Sequence, residues 1–329
     1  VCDCGAALFA EVVNRPLDGA MPDRLSHLQA MAFAFAGFTL WVLTDTAIKL
    51  VGQTGLPWYE VLGFLGLFMV VFLVGRGWWR GDLAALRPHR LRPQFMRSAL
   101  DLGNNICVIV ALRHLTLTLF YILIFLAPIT VSLLSSIFLR ERLSLRKALA
   151  ILTGFAGVVI AVHPWSGSRE ADWIGYTACF VCVACFSVNM VWSRVLTQTE
   201  NPESLTLFSG AVMTVVGFSL MAGFWLMLPH TRPITPRIGA LLVAVGVLCA
   251  TGSLCFFVAL KNTAAANVSQ IHYTQLVSGA LMAWLVWRQA PTLLTAAGAV
   301  LIIASGLYIA TLASRDHHST WISPPVHPD

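Results

Sequence analysis

Asp45 and Lys49 stand four residues apart inside an otherwise apolar stretch. On a helix that spacing puts both on one face. There they either neutralise each other or leave a carboxylate facing a cavity, free to meet a solute or carry a proton. Asp101, Asn104 and Asn105 follow an i, i+3, i+4 pattern, again one helix face. Asp101 can pair with Arg97 one turn earlier, while Asn104 and Asn105 lie deeper and are read as lining a cavity. A third set occupies 267–279: Asn267, Gln270 and Thr274 on one face, His272, Gln275 and Gly279 on another, with Tyr273 between them. The candidate solute-binding residues are therefore Asn104, Asn105, Gln270, Tyr273 and Gln275, joined by Asn189 and by the aromatic Trp41, Tyr121 and Phe125. Trp192 is a further aromatic candidate. Amide and ring walls suit a flat or aromatic solute. Asp45 and His272 are the candidates for proton coupling, since imidazole titrates near neutral pH.

These groups are expensive where they stand. The chain has 329 residues, 57% hydrophobic and 11% charged, against about 25% charged in a soluble domain. Of fifteen acidic residues only Asp45, Glu60 and Asp101 fall within the long apolar stretches, and Glu60 is near enough to a stretch end to reach a membrane interface. A carboxylate in mid-bilayer costs several kcal/mol, so such groups mark function by default. Enzyme signatures are missing: no Gly-x-x-x-x-Gly-Lys-Ser/Thr loop, no His-Glu-x-x-His, no Gly-x-Ser-x-Gly. Cys179, Cys182 and Cys185 have a spacing that suits a metal clip, yet no fourth ligand lies beside them, and they read as small side chains on one helix face. Neither cofactor nor metal is expected, and the chain is not expected to be an enzyme. A membrane enzyme or receptor remains the rival reading.

The elements that must hold these residues are apolar helices of membrane length. They are expected at 28–50, 57–76, 97–114, 116–138, 147–163, 173–194, 204–228, 239–260, 264–287 and 292–312, with tails 1–27 and 313–329. With the amino terminus inside the cell, 15 of the 21 Lys and Arg residues fall on the inner side and 6 on the outer. That bias supports ten spans with both termini cytoplasmic. Cations in short loops beside apolar spans set orientation, so the net charge of +6 does not point to nucleic acid. Trp58, Trp78, Trp79, Trp165, Trp173, Trp225, Trp284 and Trp287 lie near span ends, as an interfacial belt requires, whereas Trp41 is well inside the first span.

The chain also says one thing twice. Ala111-Leu112-Arg113 before one apolar run corresponds to Ala259-Leu260-Lys261 before another, 148 residues on. Five spans surround each copy. Five is odd, so the second copy, 173–312, enters the membrane from the side opposite to the first, 28–163. Inverted repeats of this kind build secondary transporters whose site lies between the copies near mid-membrane. The expected fold is all-α, ten transmembrane helices in two inverted five-helix repeats.

One further pattern has a family likeness. Phe125-Leu126-Ala127-Pro128-Ile129, the turn Leu139-Arg140-Glu141-Arg142-Leu143-Ser144, and Gly154-Phe155-Ala156-Gly157-Val158 resemble the signature of the drug/metabolite transporter superfamily, EamA type. Arg140 replaces the usual glycine, and in the second copy Gln289 and Leu276 stand where the glutamate and proline would be. The resemblance spans about 28–312 and implies a plasma-membrane permease that moves a small organic metabolite by alternating access. Its first half most resembles importers of S-adenosylmethionine or riboflavin, with amino-acid exporters as neighbours. The partners implied are a small solute and the bilayer, with a homodimer left open.

Overall fold

The computed structural model describes residues 26–127, 129–130, 145–162, 173–227, 234–262, 268, 271–272, 274–290 and 292–320. Gln270, Tyr273, Asn267, Pro128, Trp165 and the turn 139–144 lie outside them. The described residues contain no strand. Their helices are α1 His27–Gln53, α2 Trp58–Arg80, α3 Leu91–His114, α4 Leu117–Ile124, α5 Leu145–Val162, α6 Trp173–Leu196, α7 Pro202–Met227, α8 Pro236–Asn262, α9 Thr274–Trp287 and α10 Leu293–Thr320.

Local chemistry sets the boundaries. Ser26 opens α1 with a reciprocal capping box: its Oγ accepts from Gln29 N–H at 3.2 Å, and Gln29 Oε1 accepts from Ser26 N–H at 2.9 Å. Pro57 precedes the first turn of α2, and Gly81 ends that helix at φ +70°, a conformation L side chains rarely adopt. Thr116 caps α4 by accepting from Leu119 N–H at 3.3 Å. Helix α4 breaks at Phe125, one turn ahead of Pro128, as expected where a missing N–H and a ring clash fall on the carbonyl four residues back.

Among the described residues, six stretches are long and apolar enough to cross a membrane: Leu28–Gln53, Trp58–Arg80, Leu91–His114, Trp173–Leu196, Pro202–Phe224 and Pro236–Asn262. Thr274–Trp287 and Leu293–Ser305 are shorter apolar helices. Hydroxyls inside these helices bond the carbonyl four residues back, as Thr46 does to Val42 at 2.7 Å and Thr206 to Pro202 at 2.8 Å. That leaves few polar groups to face an apolar medium.

The closest helix pairs are α1 with α8, α2 with α7, α3 with α6 and α5 with α10. Small residues make these approaches possible. A Cβ at Gly66 on α2 would stand 2.5 Å from the Gly210 carbonyl of α7, and one at Gly157 on α5 2.9 Å from the Gly298 carbonyl of α10. Trp78, Trp79 and Trp173 are 79%, 88% and 70% exposed on the protein surface, where an interfacial belt needs them. Glu60 departs from expectation. It is 3% exposed, packed inside the first turn of α2 rather than reaching outward, where the helix N-terminus favours a negative charge.

Candidate functional site

A cavity of about 900 Å³, including the space where it opens, lies among α1, α3, α4, α6 and α8, with Met69 of α2, Met213 of α7 and Gln275 of α9 also on its wall. Its enclosed part is only about 90 Å³, smaller than a typical small-molecule site, so the helices must part further to admit an organic solute. Helix α1 contributes Trp41, Thr44, Asp45 and Ile48, which share one helix face. Asp101, Asn104 and Asn105 reach the cavity together from α3, and Asn189 and Ser193 from α6.

The polar groups at one end form a connected set. Asp101 Oδ1 accepts from Asn189 Nδ2 at 3.3 Å and from Asn105 Nδ2 at 3.4 Å. Asn105 also donates to the Asp101 backbone carbonyl at 2.9 Å, and Ser193 donates to Asn189 Oδ1 at 3.3 Å. Asn104 Oδ1 accepts from the Cys182 thiol at 3.2 Å. Behind Asp101, the guanidinium of Arg97 has no solvent exposure. It donates to the Leu205 carbonyl at 2.7 Å and to Ser209 Oγ, lies 5.2 Å over the Phe257 ring, and is 3.9 Å from Asp101 Oδ2. Asp101 is thus paired with a buried cation and two amides.

Asp45 is held differently. Its Oδ2 accepts from the Tyr121 hydroxyl at 2.6 Å. The i, i+4 pairing with Lys49 does not form. The Lys49 ammonium runs forward to the Leu112 and Leu115 carbonyls, at 2.8 and 2.5 Å, and lies 5.8 Å over the Trp287 ring. The four-carbon stem reaches the unsatisfied carbonyls that end α3, and those acceptors outbid a carboxylate one turn back.

Aromatic rings form another wall. Trp41 packs on Phe256 at 4.8 Å and edge-on to Phe186 at 6.5 Å. His272, 4% exposed, is stacked among Phe38 at 4.9 Å, Phe186 at 5.2 Å and Phe125 at 5.9 Å. Gln275 lines the cavity while donating to the Phe38 carbonyl at 3.2 Å.

Trp41, Asp45, Asn104, Asn105, Tyr121, Asn189, His272 and Gln275 are therefore brought together on one cavity. Phe125 is not on its surface: at 2% exposure it stands behind His272, because the break in α4 turns it into the ring stack. Trp192 also points elsewhere, its indole N–H donating to the Pro93 carbonyl at 3.2 Å. Phe186, Phe256 and Phe257 line the cavity but carried no sequence signal, since a phenylalanine in an apolar helix reads the same toward lipid or cavity. Ser193, by contrast, is four residues after Asn189, and that spacing could have found it.

At one end of the bundle, contacts tie the α2–α3 side to the α6–α7 side. Glu200, 2% exposed in the α6–α7 connection, accepts from Arg90 N–H at 2.7 Å, from His89 N–H at 3.0 Å and from Gln94 Nε2 at 3.0 Å. Arg76 pairs with Glu203 at 3.1 Å. At the opposite end, the Trp287 indole donates to Gln53 at 3.2 Å.

Among the described residues no group of three or more His, Cys, Asp or Glu side chains is placed to hold a metal ion. The three-cysteine stripe on α6 instead packs inward, Cys179 and Cys182 buried and Cys185 half-buried.

The family model for EamA-like transporters matches residues 28–163 and 173–311. A riboflavin transporter of Brucella anthropi is 25% identical over 273 residues, 78% of this chain and 89% of its own. The pseudopaline exporter CntI of Pseudomonas aeruginosa is 29% identical over 82% of this chain and 91% of its own. An S-adenosylmethionine uptake transporter of Rickettsia bellii is 25% identical over 55% of this chain and 60% of its own. A protein of known crystal structure, 19% identical, shares the fold with a TM-score of 0.63 over 88% of this chain and 99% of that one.

Proposed function

Since the chain belongs to the EamA-like transporter family, matched across both of its halves, we propose that it carries a small organic solute through the central cavity by alternating access. The observation that carries this reading is the cavity itself. Amides, half-buried carboxylates and rings from both halves converge on one volume, and intramembrane polar groups that share a cavity suit a polar guest.

The helix pairing supports two inverted five-helix repeats. Exchanging the halves maps α1–α8 onto α6–α3 and leaves α2–α7 and α5–α10 as self-matched pairs. A cation near the end of the first helix of each half caps the third helix of that half. Lys49 donates to the Leu112 carbonyl, and Arg194 donates to the Leu260 carbonyl, 148 residues later. In this reading the ten helices lie in the bacterial inner membrane with both termini cytoplasmic. The Glu200, Arg76–Glu203 and Arg97–Ser209 contacts then close the inner end, and inward opening parts them. Coupling protons are assigned to Asp45 and His272, while the other cavity titratable groups, Asp101, Tyr121, Cys182 and Cys249, serve as structure.

Purified protein reconstituted in liposomes tests the reading. Counterflow of riboflavin, S-adenosylmethionine or an amino acid above that of empty liposomes is expected, and replacing Asn105 by Leu should abolish it. Flux through neither leaflet with this panel contradicts transport. Flux indifferent to a pH gradient, or to joint replacement of Asp45 and His272, contradicts the coupling assignment alone.

A further inference from the structure

Charge on the cavity wall is one-sided. Its described lining includes two carboxylates, Asp45 and Asp101, and no Lys or Arg. Two nearby cations are held by other groups. Arg97 is committed to Leu205, Ser209 and Asp101, and Lys49 to the carbonyls at the end of α3. Asp101 has the guanidinium behind it and two amides on one oxygen. Asp45 has a single neutral donor, the Tyr121 hydroxyl, on Oδ2. One half-buried carboxylate thus faces the cavity without a positive partner among the described residues.

One helical turn from that carboxylate the cavity wall is aromatic. Trp41 lies one turn before Asp45 on the same face of α1, with Phe256 and Phe186 packed against its ring. Rings attract a positive charge through their electron-rich faces and offer nothing to an anion. The polar set of Asn104, Asn105, Asn189 and Ser193 supplies neutral donors and acceptors for the rest of a guest.

We propose that the cavity selects an organic cation: a solute with one positive centre next to a flat or apolar group, the charge received by Asp45 and the flat part by Trp41, Phe186 and Phe256. This rests on the transporter reading above and narrows its solute to a class. A neutral flat solute lacks the partner Asp45 calls for, and an anion meets two carboxylates, the one imidazole on the described wall, His272, being enclosed in the stack of Phe38, Phe186 and Phe125.

Two probe pairs isolate charge from shape. S-adenosylmethionine is a sulfonium, and S-adenosylhomocysteine is the thioether with one methyl and one positive charge fewer, both keeping the same amino-acid zwitterion. 1-Methylnicotinamide is a cation, and nicotinamide is its neutral parent. Binding to purified full-length protein is followed by thermal shift and by displacement of radiolabelled S-adenosylmethionine. The expected result is that at least one pair binds with the cation ten-fold or more tighter than its neutral partner. Asp45→Asn, which keeps an acceptor for Tyr121, should bring that ratio to within about two-fold, and Asp45→Glu should retain it. If neither pair separates ten-fold on the wild-type protein, the proposal is overturned, whatever the variants do. Riboflavin counterflow without any cation preference would sink the cation class and leave the transporter standing. Absence of flux for every solute would sink both.

Discussion

Glu200 offers the sharpest test of how the helices are held. Helix α3 begins without a side-chain cap of its own, since Arg90 stands at its N-cap. The cap comes from 110 residues away, where the buried Glu200 carboxylate takes the Arg90 N–H. Replacing Glu200 by Ala leaves that N–H and the Gln94 amide, itself 0% exposed, without their acceptor. His89 and Arg90 are both exposed, so water can replace those two bonds. The unsatisfied buried Gln94 donor costs about 1–3 kcal/mol, part of it recovered through Ser204, and the loss of a charge at the start of α3 adds about 1 kcal/mol or less. With an unfolding entropy of about 2.1 cal/mol/K per residue, the 329-residue chain loses roughly 1.4 °C per kcal/mol, so Tm should fall about 2–5 °C. Glu200→Gln keeps an acceptor but loses the charge at a helix N-terminus, which costs about 1 kcal/mol or less. Tryptophan-fluorescence melts in one detergent would read both variants, and amide exchange at 90–94 would localise the change. A melt of Glu200→Ala within 1 °C of wild type, or a Glu200→Gln melt equal to it, refutes the capping argument.

Other outcomes follow from single contacts. Gly279 packs directly on the Tyr121 ring, so Gly279→Leu should displace Tyr121 from Asp45 and cut solute binding at least ten-fold. A binding isotherm equal to wild type contradicts that placement. Lys49→Met and Arg194→Met each remove the cap on a third helix and should lower stability by a similar amount, about 1–2 kcal/mol. Melts in which only one of the two variants changes would count against their equivalence. Trp78→Ala and Trp79→Ala remove side chains that touch almost no protein and should leave the detergent melt within about 0.5 kcal/mol of wild type. Their effect is expected in membrane insertion, read by the fraction of chain extracted by alkaline carbonate.

Much of the helix plan is visible in the residues, because a membrane helix needs about 20 apolar residues and little else. The Asp101–Asn104–Asn105 face was legible for the same reason: periodicity fixes which residues share a side, and a polar side must turn from lipid. What spacing cannot give is the competitor across a packing interface. Asp45 and Lys49 are well placed for a pair, but α3 happens to end where the Lys49 stem reaches. Trp192 is drawn to the Pro93 carbonyl and Phe125 into the His272 stack by neighbours far away in sequence. Glu200 lies in a short connection, where an acid normally meets water, and only the tertiary fold brings the start of α3 over it. The register shared by Leu112 and Leu260 was readable as a repeat, whereas the cations that cap them are offset by 145 residues rather than 148, hiding their equivalence.

Transport through this cavity requires that it open to both sides of the membrane in turn. A chain with its native cysteines removed and a single cysteine introduced by Ser253→Cys, on the cavity wall, can be probed in right-side-out and inside-out vesicles with a membrane-impermeant thiol reagent. Alternating access predicts labelling from either side, and protection from both when S-adenosylmethionine or another transported solute saturates the cavity. Labelling from one side only, with and without solute, would contradict it.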